Sequence, residues 1–195
     1  MMLTERDKMT AGKPYDQYDP ELQARRKYIR QKLGQINFLT DNDERNNELA
    51  HLFGDCGKDL FIETGIQFDY GYNIHIGNRF YGNYHLTLLD TCPITIGDNC
   101  YLGPDVGLYT PVHPIDPKQR EEDIELGKPI TIGNNVWMGG HVTILPGVKI
   151  GDNDVIGAGT VVTKSFGPNV IIVGNPGHVI RKIKPDNDKA KPNKK

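Results

Sequence analysis

The sequence predicts a mainly β protein in which the chain winds into a coil of short, stacked strands. The main observation is a strict spacing of six between apolar residues, at Ile132, Met138, Ile144, Ile150, Ile156 and Val162. A helix repeats its apolar face every 3.6 residues and a flat strand every two, whereas a period of six fits short strands separated by tight corners. A second series of the same parity, at Val136, Val142 and Val148, points to the same interior.

The same pattern occurs earlier in the chain with less regularity. Apolar residues or glycines are six apart from Ile76 to Ile94, and the spacing resumes at Ile96 in a register shifted by two. The spacing of six stops after Leu108 and is regular again from Ile132, which divides the coil into an N-terminal and a C-terminal block. Residues 109–127, between these two blocks, are polar and interrupted by prolines, which predicts a loop extruded from the coil. Asp154 breaks the inner valine series, and we expect a widened corner around it.

Residues 1–58 lack the six-residue period and predict a small helical appendage to the coil. An apolar stripe at helical spacing follows Asp19-Pro20, a cap and a first-turn proline, and consists of Leu22, Ile29, Leu33 and Ile36. A second short helix is expected from Thr40 or Asp41 to Gly54. Neither helix could bury its apolar side alone, so both should pack on the first coil or near a subunit boundary.

The coil itself is placed at residues 59–183, and the lysine-rich segment 184–195 predicts a disordered basic tail. A net charge of −2 gives no reason to expect nucleic acid or an anionic membrane as a partner. No apolar run reaches membrane-spanning length and the polar start is unlike a secretory signal, so we expect a cytoplasmic protein. The 3 cysteines have no paired spacing, which indicates neither a disulfide framework nor a thiolate metal site.

Several segments carry a family resemblance in addition to the repeats. They are residues 11–13, 69–74, 80–83, 89–94, 110–116, 127–140 and 174–176. Together they resemble the hexapeptide-repeat O-acetyltransferases, and among these the maltose and galactoside acetyltransferase branch. The resemblance implies a left-handed parallel β-helix with three hexads in each coil, assembled as a homotrimer with active sites between neighbouring subunits.

The resemblance also implies transfer of an acetyl group from acetyl-CoA to a sugar hydroxyl, with His113 as the general base. An imidazole titrates near neutral pH and can take the hydroxyl proton as the oxygen attacks a thioester. Glu125 is the candidate for orienting that imidazole, with a solvated glutamate as the alternative. The positions that match sugar contacts are Asp16, Tyr81, Asn83 and Asp90. The alignment at Asp16 is ambiguous by one residue, and Asn83 and Asp90 could instead be corner residues.

The donor is expected along the outside of the coil. Trp137 has odd parity against the inward residues, so it should point outwards, against either a pantetheine arm or a neighbouring subunit. Gly139 and Gly140 would let a thioester approach the backbone, and the Gly140 amide could stabilise the developing oxyanion. The other positions that match coenzyme A contacts are Ala158, Thr163, Lys164 and Arg181. This chemistry requires no metal and no covalent intermediate.

Three other functions fit parts of the pattern. His85, His113 and His141 are evenly spaced in the sequence, which suggests the three histidine ligands of a metal-dependent hydratase of the γ-carbonic anhydrase type. The close histidine pair of such sites is missing, however. A non-catalytic scaffold would retain the coil without binding coenzyme A. The nearest rival is an acetyltransferase for another acceptor, such as an oligosaccharide, an amino sugar or an antibiotic.

Overall fold

The computed structural model describes residues 3–184, and three helices in it precede the coil while one interrupts it. The helices are α1 (Glu5–Thr10), α2 (Pro20–Ile36), α3 (Asn42–Ala50) and α4 (Pro117–Glu121). The Asp19 carboxylate caps α2 by accepting hydrogen bonds from the amides of Glu21 and Leu22, and the helix buries the predicted stripe. Helix α3 begins after its cap Asp41 but ends at Ala50, earlier than expected. Apart from Lys184, the predicted tail lies outside the described residues.

The strands are short and stack in parallel sheets along the coil. In chain order they are β1 (Tyr15–Asp16), β2 (Asp55–Cys56), β3 (Phe61–Ile62), β4 (Gln67–Phe68), β5 (Ile74–Ile76), β6 (Tyr81–Gly82), β7 (Thr87–Leu89), β8 (Ile94–Ile96), β9 (Tyr101–Leu102), β10 (Gly107–Tyr109), β11 (Pro111–Val112), β12 (Ile124–Gly127), β13 (Ile130–Ile132), β14 (Trp137–Met138), β15 (Thr143–Ile144), β16 (Lys149–Ile150), β17 (Val155–Ile156), β18 (Val161–Val162), β19 (Val170–Val173) and β20 (His178–Lys182). Three sheets form the sides of the coil, in the orders β16-β13-β8-β5-β2, β20-β19-β17-β14-β9-β6-β3 and β18-β15-β10-β7-β4. The predicted fold, a parallel β-helix with a helical appendage, is confirmed.

The two blocks of the coil differ in length per turn. In the C-terminal block Ile132 pairs with Ile150, so one turn takes 18 residues. In the N-terminal block Ile76 pairs with Ile96, so one turn takes 20 residues. The two extra residues fall at one corner, between Leu88 and Ile96, and this widening explains the register shift in the sequence.

The extruded loop leaves the coil at this same corner. It follows β10, forms β11, α4 and β12, and returns to the coil at β13. Strand β12 pairs antiparallel with β11 and also with β1, so that Tyr15 lies opposite Glu125. The appendage and the loop are therefore joined by main-chain hydrogen bonds over the widened corner.

The corner at residues 152–154 is regular, so the expected widening there is wrong. Asn153 has a φ of 62°, matching the 57° of Asn99 and Asn135 at equivalent corners. Asp154 takes the interior position of a valine and is fully buried. Its Oδ1 accepts a hydrogen bond of 2.9 Å from the Val170 amide, which belongs to the next turn of the coil.

The first turn of the coil has no preceding turn to pair with, and side chains of the appendage occupy that place. Asn46 Oδ1 accepts from the Ile62 amide at 2.7 Å, and Arg45 Nε donates to the Ile62 carbonyl at 3.1 Å. Asn37 accepts from the Gly65 amide and donates to the Ile66 carbonyl. These bonds satisfy backbone groups that would otherwise be left open at the edge.

Candidate active site

A polar pocket lies where the appendage, the widened corner and the extruded loop meet. This corner pocket has a volume of about 240 Å³ and is lined by Tyr15, Gln17, Arg26, Arg30, Asp69, Tyr70, Thr91 and Glu125. The arginines come from α2, Glu125 from β12, and Asp69, Tyr70 and Thr91 from two successive widened corners. The longer turns of the N-terminal block thus supply three residues of the pocket.

Hydrogen bonds, most of them partly buried, fix the shape of the corner pocket. Arg26 donates to the Tyr70 hydroxyl and, over 2.6 Å, to the Gln17 carbonyl, which ties α2 to the corner. Asp90 Oδ1 accepts from the amides of Asp69 at 3.0 Å and Tyr70 at 2.8 Å. Burial raises the pKa of Asp90 to about 7, and the hydrogen bonds from the backbone act against the rise. One oxygen that accepts from two amides holds this part of the backbone in place, so the lining residues are preorganised.

Burial also determines the protonation of the lining groups. It raises the pKa of Tyr70 to about 12, although Arg26 opposes the shift. It raises the pKa of Tyr15 still further, and the Glu125 carboxylate adds to this effect. Both phenols therefore keep their protons at neutral pH and can donate hydrogen bonds. Burial raises the pKa of the Asp69 carboxyl too, while Arg26 and Arg30 act against the rise.

His113 directly follows β11, whose partner strand β12 carries the pocket residue Glu125. Val112 pairs with Leu126, so one further step of the same register would bring His113 opposite Glu125. The His113 side chain is exposed, whereas Glu125 is only 8% exposed. Within residues 3–184 no hydrogen bond joins the two side chains, so the orienting role of Glu125 stays a prediction.

Most predicted donor residues lie at a different corner of the coil, which we call the donor corner. It follows β14, where Gly139 stacks so closely on the next turn that a Cβ atom there would stand 2.6 Å from the Ala158 amide nitrogen. The Gly140 carbonyl accepts from Gly159 at 2.9 Å. The amides of Gly140 and Ala158 donate no hydrogen bond within the described part of the chain, so both are available to a ligand.

The aromatic side chain of Trp137 lies outside the coil, as its parity predicts. Trp137 is 58% exposed, whereas Met138, the next residue, is fully buried. Its neighbour across the sheet is Tyr101, also partly exposed. Thr163 and Lys164 follow β18 and are exposed, and Arg181 lies on β20 opposite Ile171.

The structure separates the predicted acceptor contacts. Asp16 lies outside the corner pocket, because its carboxylate turns back to accept from the Tyr18 amide at 2.8 Å, and the adjacent Gln17 lines the pocket instead. Asp90 is fully buried behind the pocket and holds the backbone, so it does not face a ligand directly. Tyr81 and Asn83 belong to the donor corner, since Tyr81 and Trp137 both pair with Tyr101.

Of the eight residues that line the pocket, the sequence predicts a role in the site only for Glu125. The seven that it does not identify are Tyr15, Gln17, Arg26, Arg30, Asp69, Tyr70 and Thr91. The one-residue ambiguity at Asp16 was a signal for Gln17. The arginines lie on the polar side of a helix, where nothing in the sequence distinguishes a pocket residue from a solvated one.

The remaining histidines and cysteines form other arrangements. His85 and His141 lie on either side of Asp105, with closest nitrogen-to-oxygen distances of 3.3 and 3.7 Å. In the described region, 3–184, no group of three or more His, Cys, Asp or Glu side chains could hold a metal ion. Burial raises the pKa of both the Cys92 and Cys100 thiols to about 11, so neither is an activated nucleophile.

Family models and related proteins agree with this architecture. The maltose acetyltransferase hexapeptide capping motif matches residues 8–57, and the hexapeptide repeat of succinyl-transferase matches residues 93–113 and 129–164. The crystal structure of a maltose O-acetyltransferase from Clostridium difficile 630 is 45% identical and superposes with a TM-score of 0.87, covering 93% of this chain and 98% of that one. The chain belongs to the hexapeptide-repeat acetyltransferases.

Two more members of this family illustrate its range. A galactoside O-acetyltransferase of Escherichia coli (strain K12) is 47% identical over 147 residues, which is 75% of this chain and 72% of that one. A galactoside acetyltransferase solved in complex with coenzyme A is 38% identical, with a TM-score of 0.90 over 95% of this chain and 94% of that one. This protein is accordingly an acetyltransferase of the maltose and galactoside type. Its described residues contain no helix long and apolar enough to cross a membrane.

Proposed function

We propose that this acetyltransferase moves the acetyl group of acetyl-CoA to a hydroxyl of a sugar of the maltose, glucose or galactoside type. The observation that carries the proposal is the polar corner pocket, which is preorganised and takes Glu125 from the strand paired with β11, directly before His113. Sugar hydroxyls both donate and accept hydrogen bonds, and the phenols, amide and carboxylates of the pocket offer both functions. Acetyl-CoA as donor also fits the cytoplasmic location expected from the sequence.

The reaction proceeds by direct attack in a ternary complex. His113 accepts the proton of the sugar hydroxyl while its oxygen forms a bond to the acetyl carbonyl carbon. The bond from that carbon to the coenzyme A sulfur then breaks, and the proton passes from the imidazolium to the leaving thiolate. The products are an acetylated sugar and free coenzyme A. Glu125, the residue before Leu126 in the strand that pairs with Val112, is the candidate for holding the imidazole in position.

The donor corner supplies the other half of the chemistry. The Gly140 amide donates no hydrogen bond within residues 3–184 and is available to the oxyanion that forms on the acetyl carbonyl. The adjacent Gly139 lets the next turn stack closely at this corner. Trp137 offers an exposed aromatic surface to the pantetheine arm, and Ala158 lies against Gly139 on the next turn. Thr163, Lys164 and Arg181 lie on more C-terminal elements and would contact the remainder of coenzyme A.

A homotrimer would bring the two halves together. In one chain His113 lies in the loop that leaves the coil after β10, whereas Gly140 lies at the corner after β14. The general base and the oxyanion amide are therefore on different sides of the coil. Tyr81 and Asn83 lie on the same side as Gly140. We therefore place each active site between neighbouring subunits, one providing the corner pocket and His113, the other the donor corner.

An assay of thiol release from acetyl-CoA tests the proposal on a panel of sugars, with an amino sugar and an oligosaccharide included. We expect release with at least one simple sugar, and His113→Asn should lower the rate by about 10²-fold or more, the usual size of general-base catalysis. His51→Asn is the matched control, because His51 is an exposed histidine at the end of α3. Release only with the other acceptors, or a His113→Asn rate within tenfold of the original, would contradict the proposal.

A further inference from the structure

A second cavity adjoins the corner pocket on its outer side. This groove has a volume of about 720 Å³ and is lined by Tyr18, Gln23, Ala24, Arg26, Lys27, Arg30 and Gln31. Arg26 and Arg30 line both cavities, so the groove and the pocket are adjacent and share these two side chains. A ligand whose ring fills the corner pocket could extend a substituent into the groove.

The groove carries a concentration of positive charge. Its lining contains three cationic side chains and no carboxylate. Asp69 faces Arg30 from the inner pocket and offsets part of this charge. The exposed fraction of Tyr18 is 54%, so its ring and hydroxyl are open to a ligand at the edge of the groove.

The cations of the groove differ from other cations of α2 in their contacts. Arg25 donates to the carbonyls of Tyr70 and Leu52, and Lys32 pairs with Glu48 at 3.3 Å. Lys27 and Arg30 are both exposed, and neither forms an ion pair or a side-chain hydrogen bond with any other residue from 3 to 184. Their polar groups are thus free to receive a ligand.

We propose that the physiological acceptor is an anionic sugar, whose ring binds in the corner pocket and whose phosphate or carboxylate group binds Lys27 and Arg30 in the groove. The inference rests on the proposed function and adds the substrate class. An Arg guanidinium pairs with two oxygens of a phosphate or carboxylate at once, and a Lys ammonium adds a point charge. A neutral sugar gives these cations nothing to bind.

The test compares acetyl transfer to glucose, glucose 1-phosphate, glucose 6-phosphate and glucuronic acid. The two phosphates block different hydroxyls, so the acetylated hydroxyl stays free in at least one of them. We expect kcat/KM for an anionic sugar to exceed that for glucose by about tenfold, as two partly exposed charge pairs would give. The preference should shrink as salt is raised, because exposed charges are screened. The phosphate and carboxylate arms identify which anion the groove accepts.

Substitution of Lys27 ties the preference to the groove. Lys27→Gln should lower the ratio of anionic to neutral transfer several-fold, whereas Lys32→Gln, on the same helix but paired with Glu48, should leave the ratio unchanged. Equal transfer to glucose and to all the anionic sugars would overturn the inference and leave the proposed function intact. Absence of transfer to every sugar would overturn both. A preference for anionic sugars that Lys27→Gln does not alter would mean that the anionic group binds elsewhere, which would refute its binding in the groove.

Discussion

Trp137 and Met138 are adjacent in sequence and lie on opposite faces of β14, so their alanine variants form a matched pair. The exposed fraction of Trp137 is 58%, against none for Met138. If Trp137 binds the donor, Trp137→Ala should weaken acetyl-CoA binding and cost less stability than the loss of an interior side chain. Met138→Ala should cost more stability and leave acetyl-CoA binding near normal.

The expected free energies follow from burial. A fully buried Trp covers about 150–250 Å² of surface, so the covered two-fifths of Trp137 corresponds to about 60–100 Å². At about 25 cal/mol per Å² its removal costs at most about 1.5–2.5 kcal/mol of unfolding free energy, below the 3–5 kcal/mol of an interior Trp. Met138→Ala removes a fully buried side chain and should cost about 2–5 kcal/mol.

Two measurements on each variant separate the interpretations. The melting temperature should fall by roughly 2–4 °C for each kcal/mol of lost unfolding free energy in a chain of this size. Met138→Ala should therefore melt about 4–20 °C lower. Acetyl-CoA affinity, measured well below the melting temperature, should fall roughly 5–30-fold in Trp137→Ala and stay near normal in Met138→Ala. A Trp137→Ala protein that melts as low as an interior variant and keeps its donor affinity would refute this reasoning.

Three further predictions concern stability, assembly and the acceptor. Burial raises the pKa of Asp154 to about 6, so the native state retains a proton that the unfolded chain loses near the ordinary value of 3.8. The contribution of Asp154 to the free energy of unfolding should therefore fall as pH rises from about 4 to 6, by up to about 3 kcal/mol. Denaturant titrations of Asp154→Asn should lack this pH-dependent fall. Identical pH profiles for the variant and the original protein would contradict the prediction. Light scattering of the full chain should give three times the monomer mass, and a monomer would count against the shared site. Gln17→Ala should raise the acceptor KM several-fold while Asp16→Ala changes it little, and the opposite ranking would restore Asp16 as the contact.

The sequence predicts the regular part of this molecule well because the coil repeats one local rule. Interior residues follow from parity, and the outward direction of Trp137 follows from the same parity. The stripe of α2 and its cap Asp19 are equally local features. Each depends on residues within one turn of helix or coil, so the pattern alone is enough.

The site is less predictable because it depends on contacts between distant segments. Gln17 lines the pocket only because β1 pairs with β12, more than a hundred residues away. The family resemblance predicts a sugar contact at Asp90, yet its carboxyl group turns inwards and accepts from the amides of Asp69 and Tyr70. The sequence predicts a widened corner at Asp154, but the Val170 amide of the next turn bonds to its side chain inside a regular corner. None of these partners is adjacent in sequence.

The polar side chains that cover the first turn of the coil have a consequence for solubility. Asn46 and Arg45 bond to Ile62 where the main chain of another turn would otherwise dock. An uncovered turn would present the same groups to a second molecule, and each added molecule would present them again, as in a growing fibre. Disruption of Asn37, Arg45 and Asn46 together should therefore favour end-to-end association, which light scattering would detect as a mass above that of the original protein. The appendage terminates the coil at this end, and the antiparallel strand β20 does so at the edge of one sheet near the other end.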